Sequence, residues 1–102
     1  FKVTRAAAQQ IRSDAREGDV EELALRVAAT RESDQSISYK MGFDEINEGD
    51  TLINSRGVDI LIRDPDKRLL NGTVLDYVEL ETDRFSFIFL NPNDPHHQPP
   101  TE

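Results

Sequence analysis

A strict alternation of apolar and polar residues between Ser36 and Phe43 is the feature that most limits how this chain folds. Its apolar members, at every second position, are Ile37, Tyr39, Met41 and Phe43. A period of two is the period of a half-buried β-strand. A shorter run of the same period, at 23–28, precedes it, and the polar segment 30–35 separates the two. This pattern predicts a β-hairpin and favours a fold built on sheet.

Two helices are expected beside the strands. A stripe of small residues with helical spacing lies between Thr4, which is suited to cap a helix, and Gly18, which is suited to end it in the left-handed conformation. A shorter helix is predicted to begin at Asp64-Pro65 and to stop at Asn71-Gly72. Further strands are predicted at 51–54, 58–62, 74–78 and 85–89. Together they predict an α+β, mostly β domain, packed as a compact β-sandwich or distorted barrel with an N-terminal helix and a short second helix.

The hydrophobic core is predicted from the apolar positions of these elements. A chain of 102 residues buries roughly two-thirds of the surface that it exposes when unfolded, so it needs no metal or disulfide staple. The residues expected in the core are Ile11, Leu25, Val27, Tyr39, Met41, Phe43, Ile60, Ile62, Leu70, Leu75, Val78, Phe87 and Phe89.

Composition excludes several classes of function. Twenty acidic residues against twelve basic ones give a formal charge of −8, which argues against nucleic acid or an anionic membrane as a partner. No run of about 18 apolar residues is present, so no transmembrane helix is expected. The chain contains no cysteine. Disulfides, thiolate catalysis and cysteine-ligated zinc or iron–sulfur clusters are therefore excluded within it.

Candidate sites for chemistry are few. His96 and His97 are adjacent and point to opposite sides of an extended chain, so a solvated tail is favoured over a shared metal. The acidic segment 44–50 could attract a cation, but it lacks the glycine and the final glutamate of an EF-hand loop, and a solvated turn is favoured. No nucleophile has a base and an orienting group beside it, so the chain is not expected to be an enzyme.

Several segments, taken together and in order, resemble one known family. They are Leu25-Arg26-Val27, then Tyr39 through Phe43, Arg56-Gly57-Val58, Leu70-Asn71-Gly72-Thr73-Val74-Leu75-Asp76-Tyr77-Val78, and Phe87-Ile88-Phe89-Leu90-Asn91-Pro92-Asn93. This order is similar to that of the HesB/IscA-like family, the A-type carriers of iron–sulfur cluster assembly. The resemblance implies a HesB-like domain over residues 1–93, followed by a flexible tail over 94–102 that contains proline and histidine.

The resemblance also implies where ligands would lie. The family holds iron or a cluster with three cysteines, one in the hairpin and a Cys-x-Cys pair in the C-terminal tail. Counting back from Phe43 places the hairpin position at Asp34. Counting on from Asn93 places the tail pair at Gln98 and Pro100. All three thiolates are absent, so the resemblance implies the family's fold without its usual cluster ligands.

Two functions follow as expectations. The first is a non-catalytic binding or accessory protein related to cluster assembly, with no resident cofactor, acting through protein partners and possible homodimerisation. The alternative is a hard-ligand site in which Asp34 with His96 or His97 holds iron or zinc weakly. We favour the first, because the histidines do not fall on the family's ligand positions. The absence of a visible secretory signal and the family resemblance together predict a cytoplasmic location, with neither nucleic acid nor membrane as a partner.

Overall fold

The computed structural model describes residues 1–95, which form two sheets and two α-helices. The elements are β1 (Lys2–Val3), α1 (Arg5–Glu17), β2 (Ala24–Arg31), β3 (Ile37–Asp44), β4 (Asp50–Ser55), β5 (Val58–Arg63), α2 (Lys67–Leu70, after a 3-10 turn at Asp64–Asp66), β6 (Val74–Glu81) and β7 (Arg84–Leu90). The first sheet has the order β1-β6-β7 and the second the order β3-β2-β5-β4. The predicted mostly β architecture with two helices is confirmed.

The N-terminal helix is capped as the sequence predicts, but it ends differently. The Thr4 hydroxyl accepts a hydrogen bond from the Ala7 N–H at 3.1 Å and donates one to Asp76 Oδ1 at 2.7 Å, which ties the cap to β6. The prediction that Gly18 is left-handed is wrong, since its φ is −85°. Its N–H still bonds the Asp14 carbonyl as a helical residue would, and Asp19 takes the left-handed conformation instead. Neither helix within residues 1–95 is long and apolar enough to cross a bilayer.

Pairing in both sheets joins distant parts of the chain. The two-residue β1, which the sequence pattern does not reveal, runs parallel to β6, with Val3 opposite Leu75. The predicted hairpin of β2 and β3 is antiparallel, and β2 also runs parallel to β5. The two sheets meet where the Tyr39 ring of β3 stacks on the Phe89 ring of β7, with centroids 4.2 Å apart. The hairpin is thereby fixed against the last strand.

The core matches the sequence expectation at most positions. Fully buried predicted residues are Ile11, Leu25, Val27, Ile60, Ile62, Leu70 and Leu75, and those partly buried against them are Tyr39, Phe43, Phe87 and Phe89. Met41 is 37 % exposed, so its assignment to the core is wrong, because β3 is an edge strand that is uncovered at this point. Val78 is only half-buried and lies outside the core cluster. It is three positions from the buried Leu75, and residues an odd number apart face opposite sides of a strand.

Candidate functional site

The hairpin position that the family resemblance marks is an exposed turn between β2 and β3. Asp34 lies at its tip, where its Oδ1 accepts hydrogen bonds from the N–H of Ser36, at 3.0 Å, and from the Ser36 hydroxyl. The turn is closed by Glu32, whose N–H donates to the Ser36 carbonyl at 2.8 Å. Gln35 adopts a φ of +76°. The Asp34 carboxylate therefore stabilises its own turn while facing solvent.

The start of the C-terminal tail is fastened by two asparagines. Asn91 is 1 % exposed, and its Nδ2 donates to the Leu69 carbonyl at 2.7 Å. Its Oδ1 accepts the Asn93 N–H at 2.9 Å. The Nδ2 of Asn93 in turn donates to the Asn71 carbonyl at 2.9 Å. We refer to residues 69–72 and 91–93 together as the tail clamp, since they bind the end of α2 to the turn after β7.

A glycine completes the tail clamp. Gly72 has a φ of +78°, a conformation that L side chains rarely adopt. A Cβ at this position would lie 3.2 Å from the Pro92 Cγ, which is closer than ordinary contact. The Asn71-Gly72 and Asn91-Pro92-Asn93 motifs of the sequence are thus two halves of one packed structure. Their contacts fasten the end of α2 to the turn after β7.

Tyr39 links the hairpin to the tail clamp. Its ring stacks on Phe89, and its buried hydroxyl lies near Asn91 and Asp94 without a hydrogen bond of standard geometry to a described residue. Burial raises the pKa of the Tyr39 hydroxyl. The Asn91 side chain opposes this rise, and the charge of Asp94 adds to it. The strand that leaves the Asp34 turn and the residues that begin the tail are therefore on the same side of the molecule.

The remaining predicted site residues, His96, His97, Gln98 and Pro100, lie outside the described residues. Asp34 precedes Tyr39 by five positions, and His96 follows Asn91 by five. Five residues of extended chain span at most about 18 Å, so chain length permits the two segments to meet. Within residues 1–95, no group of three histidine, cysteine, aspartate or glutamate side chains is arranged to hold a metal. A hard-ligand site would thus need the tail.

The acidic segment 44–50 is closed by a side chain that sequence reasoning did not single out. Arg26 donates through Nε to Asp44 and through Nη1 and Nη2 to the two oxygens of Asp50, each at 2.7 Å. Its Nη2 also reaches the Glu45 carbonyl at 3.1 Å. These bonds from Arg26, followed by the Asn47 N–H, lower the pKa of Asp50 to about 2.

The expectation of a solvated turn here is wrong for Asp50, whose side chain is 2 % exposed. The Arg26 guanidinium pairs with both the Asp44 and the Asp50 carboxylates, and it ties both ends of the segment to β2. No local motif signals this arrangement, because the arginine lies 24 positions before its main partner. We refer to residues 44–50 as the acidic strap.

Comparison with known proteins identifies the class to which this fold belongs. The family profile described as "Iron-sulphur cluster biosynthesis" matches residues 1–94. Iron-sulfur cluster insertion protein ErpA of Aeromonas hydrophila is 38% identical over 95 residues, which cover 91% of this chain and 80% of that protein. The crystal structure of IscA with its 2Fe-2S cluster has a TM-score of 0.69 and 26% identity, covering 89% of this chain and 81% of IscA.

Escherichia coli SufA has the same fold, with a TM-score of 0.72, 23% identity, and coverage of 90% of this chain and 85% of SufA. The protein is thus built on the fold of the A-type carriers. It belongs to the HesB/IscA family of iron–sulfur cluster biosynthesis, as a variant without cysteine. Carriers and insertion proteins of this family are not enzymes, which confirms the non-catalytic expectation.

Proposed function

We propose that this protein is a non-catalytic binding or accessory protein related to iron–sulfur cluster assembly, and that it does not ligate a cluster in the family's usual way. The observation that carries the proposal is a contrast between scaffold and ligands. The fold and the tail clamp are complete, whereas the chain contains no cysteine, and the family resemblance assigns the thiolate positions to Asp34, Gln98 and Pro100. Soft thiolates hold iron–sulfur clusters, and a carboxylate, an amide and a proline are poor replacements.

In this role, we expect the protein to bind other proteins in the cytoplasm. A pull-down with the full chain as bait should recover proteins of cluster assembly, identified by mass spectrometry. A tagged protein of similar size and negative charge but unrelated fold serves as the control bait, because it reproduces non-specific electrostatic capture. Recovery of no assembly protein above that control, from a chain that is strictly monomeric, would contradict the proposal.

Self-association as a homodimer is part of this role. Exposed apolar surface at the far end of the β6–β7 hairpin supports it: Leu80 is 63% exposed, and Phe85 is 55% exposed. Stacking on Tyr77, with ring centroids 5.6 Å apart, holds the exposed Phe85 ring in place. Sedimentation velocity should find a dimer for the wild type and a monomer for the Leu80→Glu/Phe85→Glu variant. A monomeric wild type at high concentration would remove self-association from the proposal.

The second candidate is weak binding of iron or zinc by Asp34 with His96 or His97. Its support is the position of Tyr39 beside Asn91 and Asp94, which places the start of the tail on the same side of the molecule as the strand that leaves the hairpin turn. Calorimetric titration with ferrous iron or zinc would then give about one metal per chain or per dimer. The heat should vanish in the Asp34→Ala/His96→Ala/His97→Ala variant and persist in Glu48→Ala, which removes an exposed acid elsewhere. A titration without stoichiometric binding would eliminate this candidate.

A further inference from the structure

The outer face of the second sheet carries an apolar cluster that is separate from the core. Leu61 of β5 is fully buried, yet it is absent from the core cluster that contains its neighbours Ile60 and Ile62. Successive residues of a strand face opposite sides, so Leu61 lies on the outer face. Its register partners are Leu52 of β4 and Arg26 of β2. The acidic strap, which Arg26 ties down, runs beside this cluster.

Two large apolar side chains remain open to solvent at the edge of this cluster. Ile46 of the acidic strap is 60% exposed, and Leu52 is 53% exposed. Together with Leu23 and Leu61 they line a groove of about 350 Å³. Exposed apolar side chains scattered singly need no explanation, but a groove that gathers two of them over a buried leucine has the character of a binding surface.

The rim of this groove is negatively charged. Its acidic lining residues are Glu21, Glu22, Asp44, Glu45 and Asp59, and none of the lysines and arginines within residues 1–95 lines it. Arg26 neutralises Asp44 from outside the groove, whereas the carboxylates of Glu21, Glu22 and Glu45 form no ion pair within residues 1–95. We refer to this surface as the acidic groove.

The wall of the acidic groove that the strap provides is held in a fixed shape. The Asp50 carboxylate accepts hydrogen bonds from the Asn47 N–H, at 2.7 Å, and from Nη1 and Nη2 of Arg26. The Gly49 carbonyl accepts the Asp64 N–H at 3.0 Å, which anchors the strap to the 3-10 turn. A surface that is already ordered loses little conformational entropy when it binds.

We infer that the acidic groove binds a basic segment of a partner protein, one that places large apolar side chains between lysines or arginines. Apolar side chains of the segment would cover Ile46 and Leu52, and its cations would face Glu21, Glu22 and Glu45. A second copy of this chain is a poor occupant, because its charge of −8 would bring carboxylates against this rim. The inference rests on the protein-binding role proposed above and specifies the surface and the chemistry of the partner.

A direct test uses labelled heptapeptides and fluorescence anisotropy with the full chain. The probe alternates lysine and leucine, and two controls replace either the lysines by glutamate or the leucines by serine. We expect saturable binding of the lysine–leucine peptide, at one per chain, that weakens as salt increases. The glutamate peptide should not bind, and the serine peptide should bind at least about tenfold more weakly, since a factor of ten requires only about 1.4 kcal/mol.

Variants then locate the binding surface. Ile46→Ser/Leu52→Ser and Glu21→Lys/Glu22→Lys should each weaken binding of the probe by about tenfold or more. Met41→Ser and Glu17→Lys, which alter an exposed apolar and an exposed acidic residue outside the groove, should change it less than about twofold. Circular dichroism verifies that each variant is folded. Equal affinity for the groove variants and the wild type, or equal losses in the control variants, would overturn the inference.

The pull-down separates a failure of the groove from a failure of the proposed function. If the wild type and the groove variants recover cluster-assembly proteins equally, the inference about the acidic groove is wrong and the proposed function stands. If the probe binds at the acidic groove but no assembly protein is recovered, the inference about the groove stands and the proposed function is wrong.

Discussion

The tail clamp and the hairpin tip, which Tyr39 of β3 links, differ in how tightly their residues are constrained. In the clamp, Asn91 is 1 % exposed, and its side-chain amide donates to the Leu69 carbonyl and accepts from the Asn93 N–H. At the tip, Asp34 faces solvent and interacts with Ser36, two residues away. The clamp is fixed by hydrogen bonds between residues 22 positions apart, whereas the tip is a turn of neighbouring residues. A substitution in the clamp should therefore disturb the fold, whereas a substitution at the exposed tip should not.

The largest effect that distinguishes the two regions is expected from Asn91→Ala. It removes the Asn91 hydrogen bond to the Leu69 carbonyl, which keeps only the longer bond from Asn93 Nδ2 at 3.2 Å. It also leaves the partly buried Asn93 N–H without its partner, and an unsatisfied group costs about 1–3 kcal/mol. We expect a loss of about 2–3 kcal/mol in the free energy of unfolding, measured by urea denaturation. Asn54→Ala, which removes an exposed hydrogen bond to Asp59, is the control and should cost much less. Equal losses in the two variants would show that the clamp is not a stabilising structure.

Gly72→Ala should cost about 1–2 kcal/mol, since an L side chain in the left-handed conformation is disfavoured by that amount. The new Cβ would also press on Pro92. Gly42→Ala is the matched control, because its φ is ordinary and no atom lies within 4 Å of the position of a Cβ. Denaturation midpoints that fall equally in both variants would contradict a special conformation at Gly72.

The Arg26–Asp50 ion pair should make the stability of the folded protein depend on pH in the acidic range. The pKa of Asp50 is lowered from its model-peptide value to about 2, so the ionised form is preferred in the folded state. The resulting stabilisation is fully present above about pH 4, the pKa in the unfolded chain, and is lost as the pH falls towards 2. The melting temperature of the wild type should therefore fall over this range more steeply than that of Asp50→Asn. If the melting temperatures of the wild type and of Asp50→Asn fell in parallel, the Arg26–Asp50 ion pair would be contradicted.

The smallest effect is expected at the hairpin tip. Asp34→Ala removes the two hydrogen bonds that its carboxylate accepts from Ser36 in an exposed turn, and the change in the free energy of unfolding should stay within about 0.5 kcal/mol. Urea denaturation beside Asn91→Ala gives the comparison in one experiment. A loss at Asp34 as large as that at Asn91 would mean that the tip, like the clamp, supports the fold.

Most of the fold was predictable because the strands are amphipathic and carry a clear period. The alternation at 37–43 and the capping threonine gave β3 and the start of α1 correctly. The same period shows why the assignment of Val78 to the core is wrong: Val78 and Leu75 are an odd number of residues apart and cannot share a face of β6. Met41 has the right period but lies on an uncovered edge strand, and exposure of that kind depends on the neighbouring strand order.

The site was predictable only in part. The Asn71-Gly72 and Asn91-Pro92-Asn93 motifs are visible in the sequence, but their mutual contact joins segments some twenty residues apart. The burial of Asp50 depends likewise on Arg26, which reaches it across the sheet. Such contacting residues share neither a motif nor a period, so no local sequence pattern predicts that they meet. His96, His97, Gln98 and Pro100 remain predictions, and a cytoplasmic location does as well.

Anaerobic reconstitution with iron and sulfide, followed by visible absorbance, tests the central claim most directly. The claim is that this chain retains the carrier scaffold without the ability to hold a cluster through its usual ligands. The wild type should develop no protein-bound cluster absorbance after desalting. The Asp34→Cys/Gln98→Cys/Pro100→Cys variant restores thiolates at the three matched positions and should develop it. Cluster absorbance in the wild type would contradict the account.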